Sequence, residues 1–208
     1  MPAITPPTHI LYLHGFRSSP QSAKAQILGR YLQQFHPEIV WHCPQLPPSP
    51  AQAMAELTQW TQAVLPPADP AASPGTRLAV VGASLGGFYA DCIARHSPCR
   101  AVLLNPVVAP ARDLARHIGA QRAFHNPAES FYFDARYVEE LRQLQGPAPA
   151  RKDAILVIMA QGDEVLDWRE MQARYTGCQQ RVLPGADHGL SHFDRLLPDV
   201  LAHLGLPI

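Results

Sequence analysis

The sequence predicts an α/β domain: a mostly parallel sheet of about six strands with helices on both faces. Three observations carry this. Short runs rich in Val, Ile and Leu recur along the chain, and they are continuously apolar rather than alternating, as strands buried on both faces of a parallel sheet are. Helical periodicities fill the intervals between these runs. Pro-rich stretches, in a chain with 22 Pro among 208 residues, fall between elements and read as loops rather than as linkers between domains.

The first strand is "HILYLHG", starting at His9. Behind it Leu28, Tyr31, Leu32 and Phe35 fall at i, i+3, i+4 and i+7 of a helix, with Ser19 as the expected N-cap and Pro20 at the first helical position. "EIVWHC" is the second strand. After the Pro-rich "CPQLPPSP", Ser49-Pro50-Ala51-Gln52 opens the next helix with capping-box spacing. "LPPADPAASPG" is a further loop, and "RLAVVG" is the third strand. Beyond Ser84, the residues Leu85, Phe88, Tyr89, Cys92, Ile93 and His96 trace one helical stripe, which makes Cys92 a core residue. "RAVLLNPVV" is the fourth strand and "AILVIMA" the fifth. Residues 109–153 between them span about 45 positions, far beyond an ordinary connection. This excursion carries Phe124, Phe131, Tyr132, Phe133 and Tyr137 and is expected to hold a helix of its own. It is either a lid over a pocket or a flap tucked on the sheet edge. "GPAPA" is a loop within this excursion, and "QQRVL" is a weaker sixth strand after a short helix. Phe193, Leu196, Leu197, Val200, Leu201 and Leu204 make a last amphipathic helix, interrupted or kinked at Pro198. No repeat is present, and residues 1–208 are expected to form one domain.

The bulk numbers exclude several classes of function. Lys plus Arg (17) balances Asp plus Glu (17), so nothing argues for a nucleic-acid surface or an anionic membrane patch. No apolar run approaches the ~18 residues that a spanning helix needs. "MPAITPPT" has no basic segment followed by an apolar one, and Cys43, Cys92, Cys99 and Cys178 include no CxxC pair. Reduced thiols and a cytoplasmic location are therefore expected.

Chemistry concentrates at "LAVVGASLGGFYA". Gly82-Ala83-Ser84-Leu85-Gly86 fits G-x-S-x-G, a pattern that arises by chance in roughly one chain in fifteen of this length and is weak alone. Its context is more specific, because a buried strand leads in and an amphipathic helix leads out. At such an elbow a serine takes a strained backbone, glycines on either side relieve crowding, and the hydroxyl stands at the carboxyl edge of the sheet. The helix behind it turns its positive dipole end toward a developing oxyanion. "GASLGG" also resembles a dinucleotide fingerprint, but Ser84 replaces the middle glycine and the next strand ends in Asn105 rather than in an acid. The nucleotide reading fails on both points.

A serine hydroxyl needs a base, and the base needs an orienting acid, in the chain order Ser, acid, His for this architecture. Asp163 follows the fifth strand in "QGDEVLDW", and His188 follows the sixth in "GADHGLSHF". Asp167 has capping-box spacing to Glu170 and is expected to cap a helix rather than serve as the acid. Glu164 points to the other side of an extended segment, and Asp187 adjoins His188 too closely to reach its ring. His188 and His192 stand at i, i+4, but "HGLSH" lacks the Glu of a zinc-binding H-E-x-x-H, so no metal is expected. In "LHGFRSSP" the glycine lets the loop fold over the nucleophile, so the backbone N–H groups of Phe16 and Leu85 are the expected oxyanion hole, while His14 braces the loop.

These residues resemble the α/β-hydrolase superfamily. More narrowly, "ILYLHGFRSSPQSAKAQ", "GASLGGFYA", "LLNPVVAP", "QGDEVLDW" and "GADHGLSHF", which cover nearly the whole chain in sequential blocks, resemble the small bacterial YqiA/YcfP-like esterase group. The resemblance implies a cytoplasmic carboxylesterase acting on a small-molecule ester or thioester, acyl-CoA included, and needing no cofactor. It carries the nucleophile to Ser84, the acid to Asp163 and the base to His188. The chain is short for the superfamily, and the antiparallel strands that usually precede the His-Gly strand are not expected. Another serine-hydrolase chemistry on the same residues, or a hydrolase-fold protein that only binds a ligand, are the alternatives.

Overall fold

Side chains that alternate in direction but not in polarity build the centre of the molecule. A computed structural model describes residues 5–65, 78–126 and 128–207. In chain order the elements are β1 (His9–Leu13), α1 (Ala23–Phe35), β2 (Val40–His42), α2 (Pro50–Val64), β3 (Leu78–Ala83), α3 (Leu85–His96), β4 (Arg100–Leu104), α4 (Pro110–Leu114), β5 (Gly119–Arg122), β6 (Ser130–Phe133), α5 (Ala135–Leu144), β7 (Ile155–Ala160), α6 (Trp168–Arg174), β8 (Gln179–Leu183) and α7 (Leu197–Leu204). Six strands pair in the order β2-β1-β3-β4-β7-β8, and every pairing among them is parallel.

The continuous apolar runs are explained by cover on both faces. Leu11, Leu13, Val80, Leu103, Val157 and Met159 point into one core with α2, α3 and α6, whereas Ile10, Tyr12, Val81, Val102, Leu156 and Ile158 point into a second core with α1 and α7. Burying each of the larger chains stabilises the fold by roughly 1.5–3 kcal/mol. The two edge strands, β2 and β8, are half-exposed, which is why "QQRVL" carries the weaker signal. The strand order reverses direction between β1 and β3, the switch point at which open α/β sheets form a crevice beyond the strands' carboxyl ends.

The capping and periodicity signals match the structure at α2 and depart from it at α1 and at the C-terminus. Ser49 Oγ accepts the Gln52 N–H and caps α2 as its spacing predicts. The first helix starts at Ala23 rather than at Pro20, because residues 15–22 make successive turns, with Ser18 N–H donating to Gly15 O and Ser22 N–H to Ser19 O. Phe35 is 55% exposed and does not join Leu28 and Leu32 in the core. The C-terminal stripe is a short 3₁₀ turn, Phe193–Leu196, that passes into α7 at Leu197, with Pro198 in its first turn. The loop expected at "LPPADPAASPG" lies, after Leu65, outside the described residues, as does the opening of the chain.

The excursion holds α4, α5 and, between them, the antiparallel hairpin β5–β6, in which Gly119 pairs with Phe133 and Arg122 with Ser130. Phe133 and Leu141 are buried in the α3-side core. Glu140 Oε2 accepts the Ser49 hydroxyl (2.7 Å) and the Ala51 N–H (3.0 Å), tying α5 to the start of α2. At the return, Arg95 donates to Leu144 O, and Arg174 donates to Gly146 O and Pro147 O. Buried Asp91 lies 3.5 Å from Arg95 and 3.4 Å from Arg174. Burial pushes the Asp91 carboxyl above the usual range, and the two guanidiniums oppose that shift. Among the described residues no helix is long and apolar enough to cross a membrane.

Candidate active site

Ser84 sits between β3 and α3 with φ 55° and ψ −118°, a left-handed conformation that a serine adopts at a cost on the order of 1–3 kcal/mol. Its backbone is held from four directions. The N–H donates to Leu104 O (2.9 Å), and the carbonyl accepts from Gly87 (2.9 Å), Phe88 (3.3 Å) and Val107 (3.1 Å). The flanking glycines answer to crowding: a Cβ at Gly82 would stand 2.1 Å from Gly86 O, and one at Gly86 would stand 2.0 Å from Leu13 O. Only bare backbone fits where β1, β3 and α3 meet.

The turns after β7 and β8 bring the other two candidates to this corner. His188 Nε2 lies 3.1 Å from Ser84 Oγ, and His188 Nδ1 lies 2.7 Å from Asp163 Oδ2. The remaining Asp163 oxygen, Oδ1, accepts the N–H groups of Val165 and Leu166, both at 2.8 Å. The Asp163 side chain is fully buried, whereas His188 keeps 19% of its side-chain surface exposed. A carboxylate acceptor on Nδ1 favours the tautomer with its proton there and leaves Nε2 free to accept from the hydroxyl. The two turns are also laced together, Gln161 N–H donating to Leu183 O and Gly162 N–H to Ala186 O.

Phe16 and Leu85, the expected oxyanion donors, line one cleft of about 540 Å³ beside Ser84. Gly15 approaches so closely that a Cβ there would lie 3.2 Å from Ser84 Cβ. Leu85 opens α3, so its N–H has no carbonyl a turn earlier to bond. The Phe16 ring is packed by His117 (5.4 Å), Phe131 (5.8 Å) and Phe133 (5.1 Å), so the excursion walls this loop. Arg17, itself at φ 61°, fastens the same loop to the hairpin: its Nε donates to Arg122 O, its carbonyl accepts from Phe124 N–H, and its guanidinium lies over the Phe124 ring. The cleft mixes apolar Phe16, Leu46, Leu85 and Phe131 with charged Arg17, Glu56 and Glu129.

The remaining candidates have other partners. Asp167 caps α6 through the Arg169 N–H, and Asp187 accepts from Ser191 N and Oγ within its own turn. His14 donates from Nδ1 to Gly15 O and accepts the Leu46 N–H at Nε2, bracing the loop, and burial lowers its pKa. Among the described residues no cluster of three or more His, Cys, Asp or Glu could hold a metal ion. Two contacts escaped the sequence. Glu164 turns back and accepts the His188 backbone N–H (3.1 Å) rather than reaching its ring. Asn105, at φ 42° and 1% exposed, accepts the Ala160 N–H with Oδ1 (2.8 Å) and donates from Nδ2 to Asp187 O (3.3 Å) and His188 O (2.9 Å). A polar residue closing an otherwise apolar strand run, "LLNP", was the available signal.

Comparison with solved structures finds the same fold at low identity. A putative hydrolase from Agrobacterium vitis S4 superposes with a TM-score of 0.71 at 14% identity, covering 96% of this chain and 90% of that one. Alpha/beta hydrolase domain-containing protein 10 from mouse gives 0.66 at 12% identity, over 98% and 92%. The esterase domain of a Rhodothermus marinus protein gives 0.61 at 17% identity, over 97% and 88%. The fold is thus that of the α/β-hydrolase superfamily, and since residues 9–205 match the profile described as Uncharacterised protein family (UPF0227), the chain belongs to that family.

Proposed function

We propose that the chain is a serine carboxylesterase. The observation that carries this is the unbroken relay from Ser84 Oγ to His188 Nε2 (3.1 Å) and from His188 Nδ1 to Asp163 Oδ2 (2.7 Å), next to a cleft lined by Gly15, Phe16 and Leu85. His188 takes the Ser84 proton as Oγ attacks the ester carbonyl. Asp163 holds the ring in the required tautomer and stabilises the imidazolium. The N–H groups of Phe16 and Leu85 receive the tetrahedral oxyanion, each worth about 3–4 kcal/mol in the transition state. His188 then gives its proton to the departing alcohol, leaving an acyl group on Ser84. Water, deprotonated by the same ring, attacks the acyl carbon, and the acid leaves as the proton returns to Oγ. The neighbours described as a hydrolase and an esterase domain support this class of chemistry, and the mixed lining of the cleft suits a short or polar acyl group.

The test combines a fluorophosphonate probe with a substrate panel. Wild type is expected to be labelled on Ser84 and to hydrolyse p-nitrophenyl acetate and butyrate, and Ser84→Ala to lose both, with kcat down ~10⁴-fold or more. Labelling with turnover of acyl-CoA but not of oxygen esters assigns thioester chemistry to the same residues. Wild type that is neither labelled nor active is a ligand-binding protein, and the esterase assignment is then wrong.

A further inference from the structure

Asn105 is nearly without solvent contact, yet both ends of its amide are bonded, to the last residue of β7, ahead of the turn that carries Asp163, and to the turn that carries His188. The partners also dictate which way round the amide sits. The Ala160 N–H demands an oxygen, and the carbonyls of Asp187 and His188 demand the NH₂ group; the reverse orientation would set donor against donor and two oxygens against oxygen. The backbone of the same short turn grips the third group. Leu104 O accepts from Ser84 N–H, Val107 N–H donates to Ser84 O, and Asn105 N–H donates to Ile158 O on β7. One four-residue segment therefore touches the nucleophile's turn, the acid's strand and the base's own peptide.

We propose that Asn105 is a positioning residue for His188, a role that rests on the esterase reading of the site. The His188 peptide is pinned on both sides, its N–H by Glu164 and its carbonyl by Asn105. These two bonds fix where the ring's Cβ departs from the chain, and so fix the 3.1 Å between Nε2 and the hydroxyl. Proton transfer is steep in that distance; a displacement near 1 Å costs on the order of 10²-fold in rate. The left-handed φ of Asn105 belongs to the same device. It turns the side chain along the rim of the sheet toward β8, and Asn tolerates that conformation better than most residues.

Two variants separate the amide from the backbone. Asn105→Gly tolerates φ 42° and removes all three side-chain bonds. Asn105→Asp keeps the acceptor for Ala160 and sets a carboxylate oxygen against the carbonyls of Asp187 and His188. With p-nitrophenyl butyrate as probe and active sites titrated by a fluorophosphonate, both variants are expected to lose about 30- to 100-fold in kcat per titrated site, with KM within threefold of wild type. The downfield NMR resonance of the His188 Nδ1–H proton is expected to shift or broaden in both. A merely structural residue would lower the number of titratable sites and leave turnover per site unchanged, so a titrated kcat within threefold of wild type with an unaltered resonance overturns the proposal. So does failure of both variants to fold at 15 °C, since the amide would then serve the sheet rim as a whole. Ser84→Ala, run alongside, keeps the two failures apart. Activity in Ser84→Ala refutes the esterase reading itself; an inactive Ser84→Ala with unaffected Asn105 variants refutes only the positioning role.

Discussion

Replacing Asp163 by Asn changes one atom in a fully buried side chain, and the surrounding bonds decide how the new amide sits. Oδ1 now accepts two backbone N–H groups at 2.8 Å, from Val165 and Leu166. The amide oxygen is held to that side, because turning it over would set an NH₂ group against both donors and lose two hydrogen bonds, at about 0.5–1.5 kcal/mol each. The NH₂ group therefore faces His188 Nδ1, which must then accept, so the ring's proton moves to Nε2 and points at Ser84 Oγ. A base that already carries its proton on the reacting nitrogen cannot take another. With Nε2 already protonated and the charge beside the imidazolium lost, the expected loss in kcat is about 10⁴-fold, equivalent to roughly 5 kcal/mol. Folding should be little affected, since the two N–H bonds survive. The assay is turnover of p-nitrophenyl butyrate per titrated site, with urea unfolding as the stability control. Asp167→Asn is the reference, because Asn caps a helix as well as Asp does, and its turnover should match wild type. If Asp163→Asn keeps more than a tenth of the activity, or if Asp167→Asn loses more than it does, the tautomer argument is wrong.

Three further outcomes are expected. Gly86→Ala puts a Cβ 2.0 Å from Leu13 O and 2.6 Å from His14 O, so β1 and α3 must part; urea unfolding should show a loss of at least about 3 kcal/mol, and an unchanged midpoint would contradict the packing described. Burial holds the pKa of His14 and of His203 below the usual value of 6.5, so their neutral forms favour the folded state. Stability is then full above about pH 6.5 and declines as the pH falls from there through the lowered folded values, with a slope approaching 1.4 kcal/mol per pH unit for each ring. Urea midpoints between pH 8 and 5.5 should show this, with a shallower decline in His14→Gln, and midpoints that rise on acidification would reverse the sign. Phe131→Ala removes one wall of the Phe16 ring and is expected to lower kcat by about threefold to tenfold while the melting temperature falls by only a few degrees. Unchanged turnover would show that the Phe16 loop holds itself.

How far the sequence could be read depended on how local each signal was. The strands announce themselves because covered sheet faces require apolar residues at every position, as "RLAVVG" and "AILVIMA" show. Ser84, Asp163 and His188 could be singled out as candidates by order and by their places after strands, a logic that needs only topology. Asp167 was legible as a cap because capping uses a neighbour two residues away. Glu164 and Asn105 were not, because their partners lie 24 and up to 83 residues off, and no spacing rule reaches that far. The hairpin was missed for a different reason: in "SFYF" only Phe131 and Phe133 face inward, too short an alternation to distinguish from a loop. The start of α1 moved because turns at Ser18 and Ser22 occupy the residues whose Ser-Pro pair mimicked a cap.

The ring of aromatics around Phe16 has a bearing on how such a protein can change. The segment that gives the cleft its shape also steadies the peptide that would receive the oxyanion, through Phe131, Phe133 and the Arg17 tether. A substitution there that admits a bulkier guest also slackens the grip on the developing charge. Breadth of diet and pace of reaction are thus joined in one piece of chain, and whoever redesigns the first must rebuild the support for the second.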